Sequence, residues 1–479
     1  LASKNELAFL SIAEAARLIR RKKISPLELT DLMLARIEAL NPKINAYITV
    51  CGDLARKAAR AAEREIMRGH YRGPLHGIPI SIKDNIYTSG IRTTAGSKIL
   101  RNFVPDEDAE VVSRLKEAGA IILGKTNMHE FAYGVTCENP HYGSVRNPWD
   151  LTRIAGGSSG GSAAALAAGM CYGSVGTDTG GSIRIPAALC GVVGCKPTAD
   201  TVALDEVVEL SSSLDHAGPL ARTATDIAIL LRALMVEPLA NRLENCLTTK
   251  PAVALRPFRQ LNELRLGLPA TFFFEQIDPE VEALVRAAVN WFERAGAQIE
   301  NIEIPEITAS EKAGNDIALP EAAAFHSVMN WFPARADDYG EDVRKRLELG
   351  RETRALDYLA ALEFQQRFEL MFTFILGQVD AVLTPVTPIA APRIGEKEVI
   401  LGGQQESVRA ALLRLCRPAN LMGAPATSVP CGFTAGGQPV GLQIIGRPMD
   451  EATVLRLAHT YEQAHAWHTM HPPIADLPE

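Results

Sequence analysis

Short apolar runs alternate with amphipathic helical segments through the first third of the chain. This alternation constrains the architecture most, because alternating strand and helix signals are those of an α/β protein, with helices packed on a sheet. Ser11 with Glu14, and Ser25 with Pro26 and Glu28, have the capping-box spacing of helix starts, and the second of these helices is expected to end near Leu40. Then follow the strand "INAYITV", a helix from about Asp53 to Arg68, the strand "GIPISIKD", a helix from about Ala109 to Ala118, and the strand "AIIL". The helix "SAAALAAGM" and strand "YGSVGTD" continue the pattern. "LRLGLPA", "PEVEALVRAAVNWFERAG", "AQIENIEI", "ATSVPCGF" and "VGLQIIG" resume it before a last helix around Glu451 to Gln463.

No tandem period or low-complexity linker divides the 479 residues, so one α/β domain is expected over 1–479. Within it, 1–65 reads as a helical N-terminal segment, 66–236 as the core that holds the chemistry, and 307–376 as a mainly helical region placed to cover substrate. A net charge of −7 argues against a broad nucleic-acid surface. No apolar run is long enough for a membrane span, no secretory pattern opens the sequence, and the scattered cysteines show no metal-site spacing. A cytoplasmic protein with free thiols is expected, a monomer or homodimer without membrane or nucleic-acid partners.

Two glycine-serine stretches carry the chemical signal. The first, "RIAGGSSGGSAAALAAG" (Arg153 to Gly169), contains a G-x-S-x-G around Ser158, the pattern of an esterase elbow. That elbow needs a buried strand before it, and "NPWDLTRIA" is a poor one; a phosphate loop needs a lysine after its last glycine, and none is present. The second, "GTDTGGSIRIP" (Gly176 to Pro186), puts Ser182 after Thr179, Gly180 and Gly181, whose N–H groups can converge on one point. Acyl transfer needs such a nest beside its nucleophile, so Ser182 is the better candidate. In "GIPISIKD", Ile78, Ile80 and Ile82 alternate onto one face and turn Ser81 and Lys83 to the other. A lysine there serves as a base only if its pKa is lowered from about 10.4.

The chain resembles the amidase signature family over nearly its whole length, through "GPLHGIPISIKDNI", "AIILGKTNMHEFAYG", "NPWDLTRIAGGSSGGSAAALAAG", "GTDTGGSIRIPAALCGVVGCKPT", "SSLDHAGPLART", "PANLMGAPATSVPCGF" and "PVGLQIIG". The resemblance implies a large mixed, twisted β-sheet covered by α-helices on both faces, and a Ser-Ser-Lys triad. Lys83 matches the base, Ser158 the bridging serine after a cis peptide from Gly157, and Ser182 the nucleophile. Thr179, Gly180, Gly181 and Ser182 would supply the oxyanion hole, with Ser159, Asp178 and Arg184 in support. Tyr133 and Met128 are candidates for lining the substrate pocket. No metal or organic cofactor is implied.

The expected activity is hydrolysis of carboxylic amides, with anilides, carbamates and urea-like compounds as related substrates. The alternative is the A component of a tRNA-dependent amidotransferase, which works with partner subunits on glutamine; an α/β-hydrolase esterase ranks below both. In those components an acidic residue five positions before the proline of "PANL" holds the substrate ammonium, and here that position is Leu413. Arg346 would remain for a carboxylate. The acidic, Val- and Leu-containing stretch Ala199 to Ser212 departs from the family pattern and is expected near the pocket.

Overall fold

The computed structural model describes residues 3–236, 239–248 and 254–477. Eleven strands build the main sheet: β1 (Tyr47–Val50), β2 (Pro79–Lys83), β3 (Ile121–Thr126), β4 (Gly173–Thr177), β5 (Val193–Lys196), β6 (Ala217–Ala221), β7 (Arg265–Pro269), β8 (Gln298–Ile302), β9 (Ala381–Pro385), β10 (Ala426–Phe433) and β11 (Pro439–Gly446). They run in the order β1-β3-β2-β4-β6-β5-β10-β11-β9-β7-β8. The pairs β3-β2-β4 and β9-β7-β8 are parallel, and every other neighbour pair is antiparallel. The sheet is therefore mixed, with helices packed on it in an α/β architecture.

Strands β2 and β4 are buried along their whole length, so both their faces are covered. One face of β2 puts Ile80 and Ile82 into the main core; on the other, Ser81 bonds the hydroxyl of Tyr47. Ile82 pairs with Val175, which brings Lys83 beside the end of β4. Open crevices at the carboxyl ends of parallel strands are the usual place for ligands in such sheets.

Both capping boxes form, at Ser11 with Glu14 and at Ser25 with Glu28. The second helix runs beyond Leu40 to Ile44 with Pro42 inside it. Burial of Leu40 and Ile44 in the core offsets the hydrogen bond that the proline cannot donate, and Asn45 then ends the helix in a left-handed conformation. "DLTRI" (Asp150–Ile154) pairs with Arg146–Asn147 and, through a single antiparallel bridge at Arg153, with Arg393, all outside the main sheet, so no strand-elbow geometry surrounds Ser158. Region 307–376 holds helices Ala309–Val328, Glu341–Glu352 and Ala355–Leu376, the first and last packed against a short helix, Arg417–Leu421. All eight cysteines are free, and no helix among the described residues is long and apolar enough to cross a membrane.

Candidate active site

The end of β2 delivers Lys83 into a fully buried position. Its Nζ lies 2.7 Å from both Ser158 Oγ and Thr177 Oγ1, and 3.4 Å from the Thr177 carbonyl. Burial lowers its pKa from 10.5 to about 7, against the opposing fields of Cys137, Asp215 and Asp178. A neutral amine has two N–H donors and one lone pair. Thr177 supplies acceptors for the donors, leaving the lone pair for the hydroxyl proton of Ser158. Asp84, next in sequence, makes no ion pair with Lys83; it accepts from the Thr94 amide at 3.0 Å.

Ser158 follows a cis peptide from Gly157 and is itself fully buried. Its carbonyl accepts from the His129 amide at 3.2 Å and from Cys137 Sγ at 3.1 Å, which clamps the loop. Gly161, in the helix Gly160–Ala167, lies so near the backbone of Asn127 that a Cβ would come within 2.3 Å of that carbonyl oxygen. Ser159 supports the same corner: its Oγ donates to the Thr177 carbonyl at 3.2 Å, and its amide donates to the Ser182 carbonyl at 3.1 Å.

Ser182 stands at the turn into helix Arg184–Cys190, and its hydroxyl makes no protein hydrogen bond among the described residues. Of the nest amides, that of Gly181 donates to Asp178 Oδ1 at 2.8 Å and so is turned away from the role expected for it. The amides of Thr179, Gly180 and Ser182 find no protein acceptor among the described residues. Gly181 has φ +124°, and a Cβ there would meet Cys416 at 2.6 Å, so the turn requires glycine. The Thr179 hydroxyl donates to Asp215 at 2.5 Å.

Asp178 and Arg184 hold this turn from beneath. The guanidinium places Nε 3.0 Å and Nη2 2.9 Å from the two carboxylate oxygens, and both side chains are fully buried. Asn420 Nδ2 donates to Asp178 Oδ1 at 2.8 Å, while Arg184 also reaches Gln443 Oε1 at 2.6 Å. Burial would raise the Asp178 pKa, but Arg184 and Asn420 outweigh it and hold the carboxyl below the usual range. Arg184→Met leaves a buried carboxylate without its counter-charge. It is expected to lower unfolding free energy by about 3–5 kcal/mol, read as a lower urea midpoint.

The remaining sequence candidates separate. Met128 is fully buried in an apolar cluster with Ala95, Ile99 and Phe131. Tyr133 is buried too, but its hydroxyl has no partner, and the Arg346 guanidinium lies over its ring at 5.5 Å. Arg346 is paired with Asp342 at 3.1 Å. The 199–212 stretch does reach the site: the Val208 amide donates to the carbonyl of Asn85, two residues after Lys83, and Leu210 and Ser211 donate to Asp215. Sequence reasoning missed Thr177, Asn420, Arg409 and Arg417. For Thr177 the signal was its place at the end of the strand beside Lys83. Asn420 lies in the "PANL" stretch that carries the family resemblance, whereas Arg409 and Arg417, hundreds of residues from Lys83, carry no local mark.

The sequence profile of the amidase family matches residues 28–455. The A component of glutamyl-tRNA(Gln) amidotransferase from Geobacter metallireducens is 41% identical over 490 residues, spanning 97% of this chain and 99% of that protein. A crystal structure of an amidase superposes with a TM-score of 0.86 at 35% identity, covering 95% of this chain and 100% of the other. The corresponding glutamyl-tRNA(Gln) amidotransferase component of Thermotoga maritima superposes with a TM-score of 0.75 at 34% identity, covering 95% of each chain.

Proposed function

Because the chain belongs to the amidase signature family, we propose that it cleaves the carbon–nitrogen bond of a carboxamide through an acyl-enzyme on Ser182. One observation carries this reading: Lys83 Nζ, with its pKa near 7, lies 2.7 Å from Ser158 Oγ, in the same buried corner as a turn whose Thr179, Gly180 and Ser182 amides are unengaged. Ser182 gives its proton to Ser158 as its oxygen bonds the acyl carbon, and Ser158 passes its own proton to neutral Lys83. The three amides hold the developing oxyanion. The proton returns along the same hydroxyls to the leaving nitrogen, the C–N bond breaks, and water then releases the acid. No Ser158–Ser182 hydrogen bond is present in the free protein. Catalytic contacts commonly tighten only with substrate bound.

Two roles fit this chemistry. A free-standing amidase is supported by Leu413, an apolar residue where an ammonium-binding carboxylate would be needed for glutamine. The amidotransferase role is supported by relatives of that name about 41% identical across the whole chain. It would bring partner subunits and a tRNA-bound acceptor, against the expectation of small-molecule partners alone. The whole-length relatives favour the second role, and residue 413 the first.

Purified alone, the protein is expected to release amine or ammonia from members of a panel of primary amides, anilides and carbamates. Ammonia release from glutamine alone, and only with partner subunits added, would assign it the second role. Turnover of esters but no amides would overturn the amidase reading.

A further inference from the structure

Arg409 and Arg417 are cations that the proposed reaction does not use. Arg417 is buried, with its guanidinium fixed by Asn315 Oδ1 at 2.6 Å and the Glu311 carbonyl at 3.3 Å. Helix Ala309–Val328 makes room for it at Gly314, where a Cβ would fall 2.3 Å from Arg417 Cδ. It leans over the nest, with Nε 3.5 Å from the point where a Cβ on Gly180 would stand; Leu413 lies beside it, 3.0 Å from that point. Arg409, on helix Val408–Arg414, makes no protein hydrogen bond among the described residues.

Neither arginine forms an ion pair with a carboxylate among the described residues, and both have a buried Nε without a partner, as does the Tyr133 hydroxyl. Asp342 is already shared between Arg346 and His129. Burial, then repulsion from Arg346 and Arg417, lowers the Arg409 pKa to about 9, and burial lowers that of Arg417 to about 10. Burial raises the Tyr133 hydroxyl to about 12 although Arg409, Arg346 and Arg417 all act to lower it. Buried donors left unpaired in a native structure need an acceptor, and adjacent cations favour a charged one.

We propose that Arg409, Arg417 and the Tyr133 hydroxyl form a subsite for a carboxylate carried by the substrate, so that the preferred amides are anionic and lack an ammonium group near that carboxylate. This rests on the amide-cleaving reading of Ser182 and deepens it. Glutaramate, the monoamide of glutaric acid, is the matched probe, since it is glutamine without the ammonium; pentanamide is its neutral counterpart.

Calorimetry on Ser182→Ala protein measures binding without turnover. Glutaramate is expected to bind about ten- to hundredfold more tightly than pentanamide or glutamine, as charge-assisted bonds allow, and added salt should narrow the gap. Arg417→Gln, introduced into the same background, should remove most of that preference. Arg409→Gln, at a partly exposed position, provides a second variant if Arg417→Gln fails to fold. Equal binding of glutaramate and pentanamide, or unchanged preference in the folded variants, would overturn the subsite; glutamine binding as well as glutaramate would overturn the exclusion of ammonium. Labelling of wild-type Ser182 by a serine-reactive phosphonate tests the hydrolytic reading separately.

Discussion

Ser182→Ala is expected to reduce kcat on any accepted amide by about 10⁴- to 10⁶-fold, the loss found when the nucleophile of a serine hydrolase is removed. The fold should survive, because the hydroxyl makes no protein hydrogen bond and the turn is held by Asp178 and by the carbonyl of Ser182 itself. Near-identical urea unfolding curves for the two proteins would verify that. Ser158→Ala tests the relay. It keeps the nucleophile and the nest but breaks the 2.7 Å contact with Lys83, so kcat should fall by a comparable factor. If Ser182→Ala protein still formed a covalent adduct with a phosphonate at the site, another residue would be the nucleophile.

Lys83→Met is expected to abolish turnover while making the protein more stable. The ammonium has a pKa of 10.5 in an unfolded chain and about 7 in the folded one. Across that window the unfolded chain binds the extra proton, so folding stability rises with pH from about 7 towards 10.5. At neutral pH the buried amine therefore costs on the order of 4 kcal/mol relative to a side chain without charge. The unpaired Thr177 and Ser158 hydroxyls give back part of that gain. The stability difference between Lys83→Met and wild type should be widest at and below about pH 7 and shrink as pH rises towards 10.5. Activity has the same origin: only the neutral amine accepts a proton, so kcat/KM should climb with pH through about 7 and then level off. A flat profile, or a variant less stable than wild type at pH 7, would count against a neutral lysine base.

Much of the framework can be read in the sequence because its causes are local. The capping boxes at Ser11 and Ser25 need only residues three apart, and both form. The alternation in "GIPISIKD" likewise places Ile80 and Ile82 on one face of a strand and Lys83 on the other. Local rules misjudged the helix through Pro42, where core burial of Ile44 prevails over the missing donor. They also gave Gly181 an oxyanion role, although its amide is engaged by Asp178. The direction of an N–H depends on which acceptor the rest of the fold brings near it.

The sequence by itself determined the α/β alternation and the glycine turn before Ser182, and it pointed to Ser182 rather than the elbow-like Ser158 as the nucleophile now proposed. Those follow from backbone geometry and side-chain period, which act over a few residues. Only the tertiary structure decided that Lys83, Ser158 and Thr177 share one buried corner, that Asn420 and Gln443 complete the support under Asp178 and Arg184, and that Arg409 and Arg417 each keep a buried Nε, and Tyr133 a buried hydroxyl, without a protein partner. Desolvation and charge–charge energy depend on distances in space, and the folded sheet sets those distances between residues far apart in the chain.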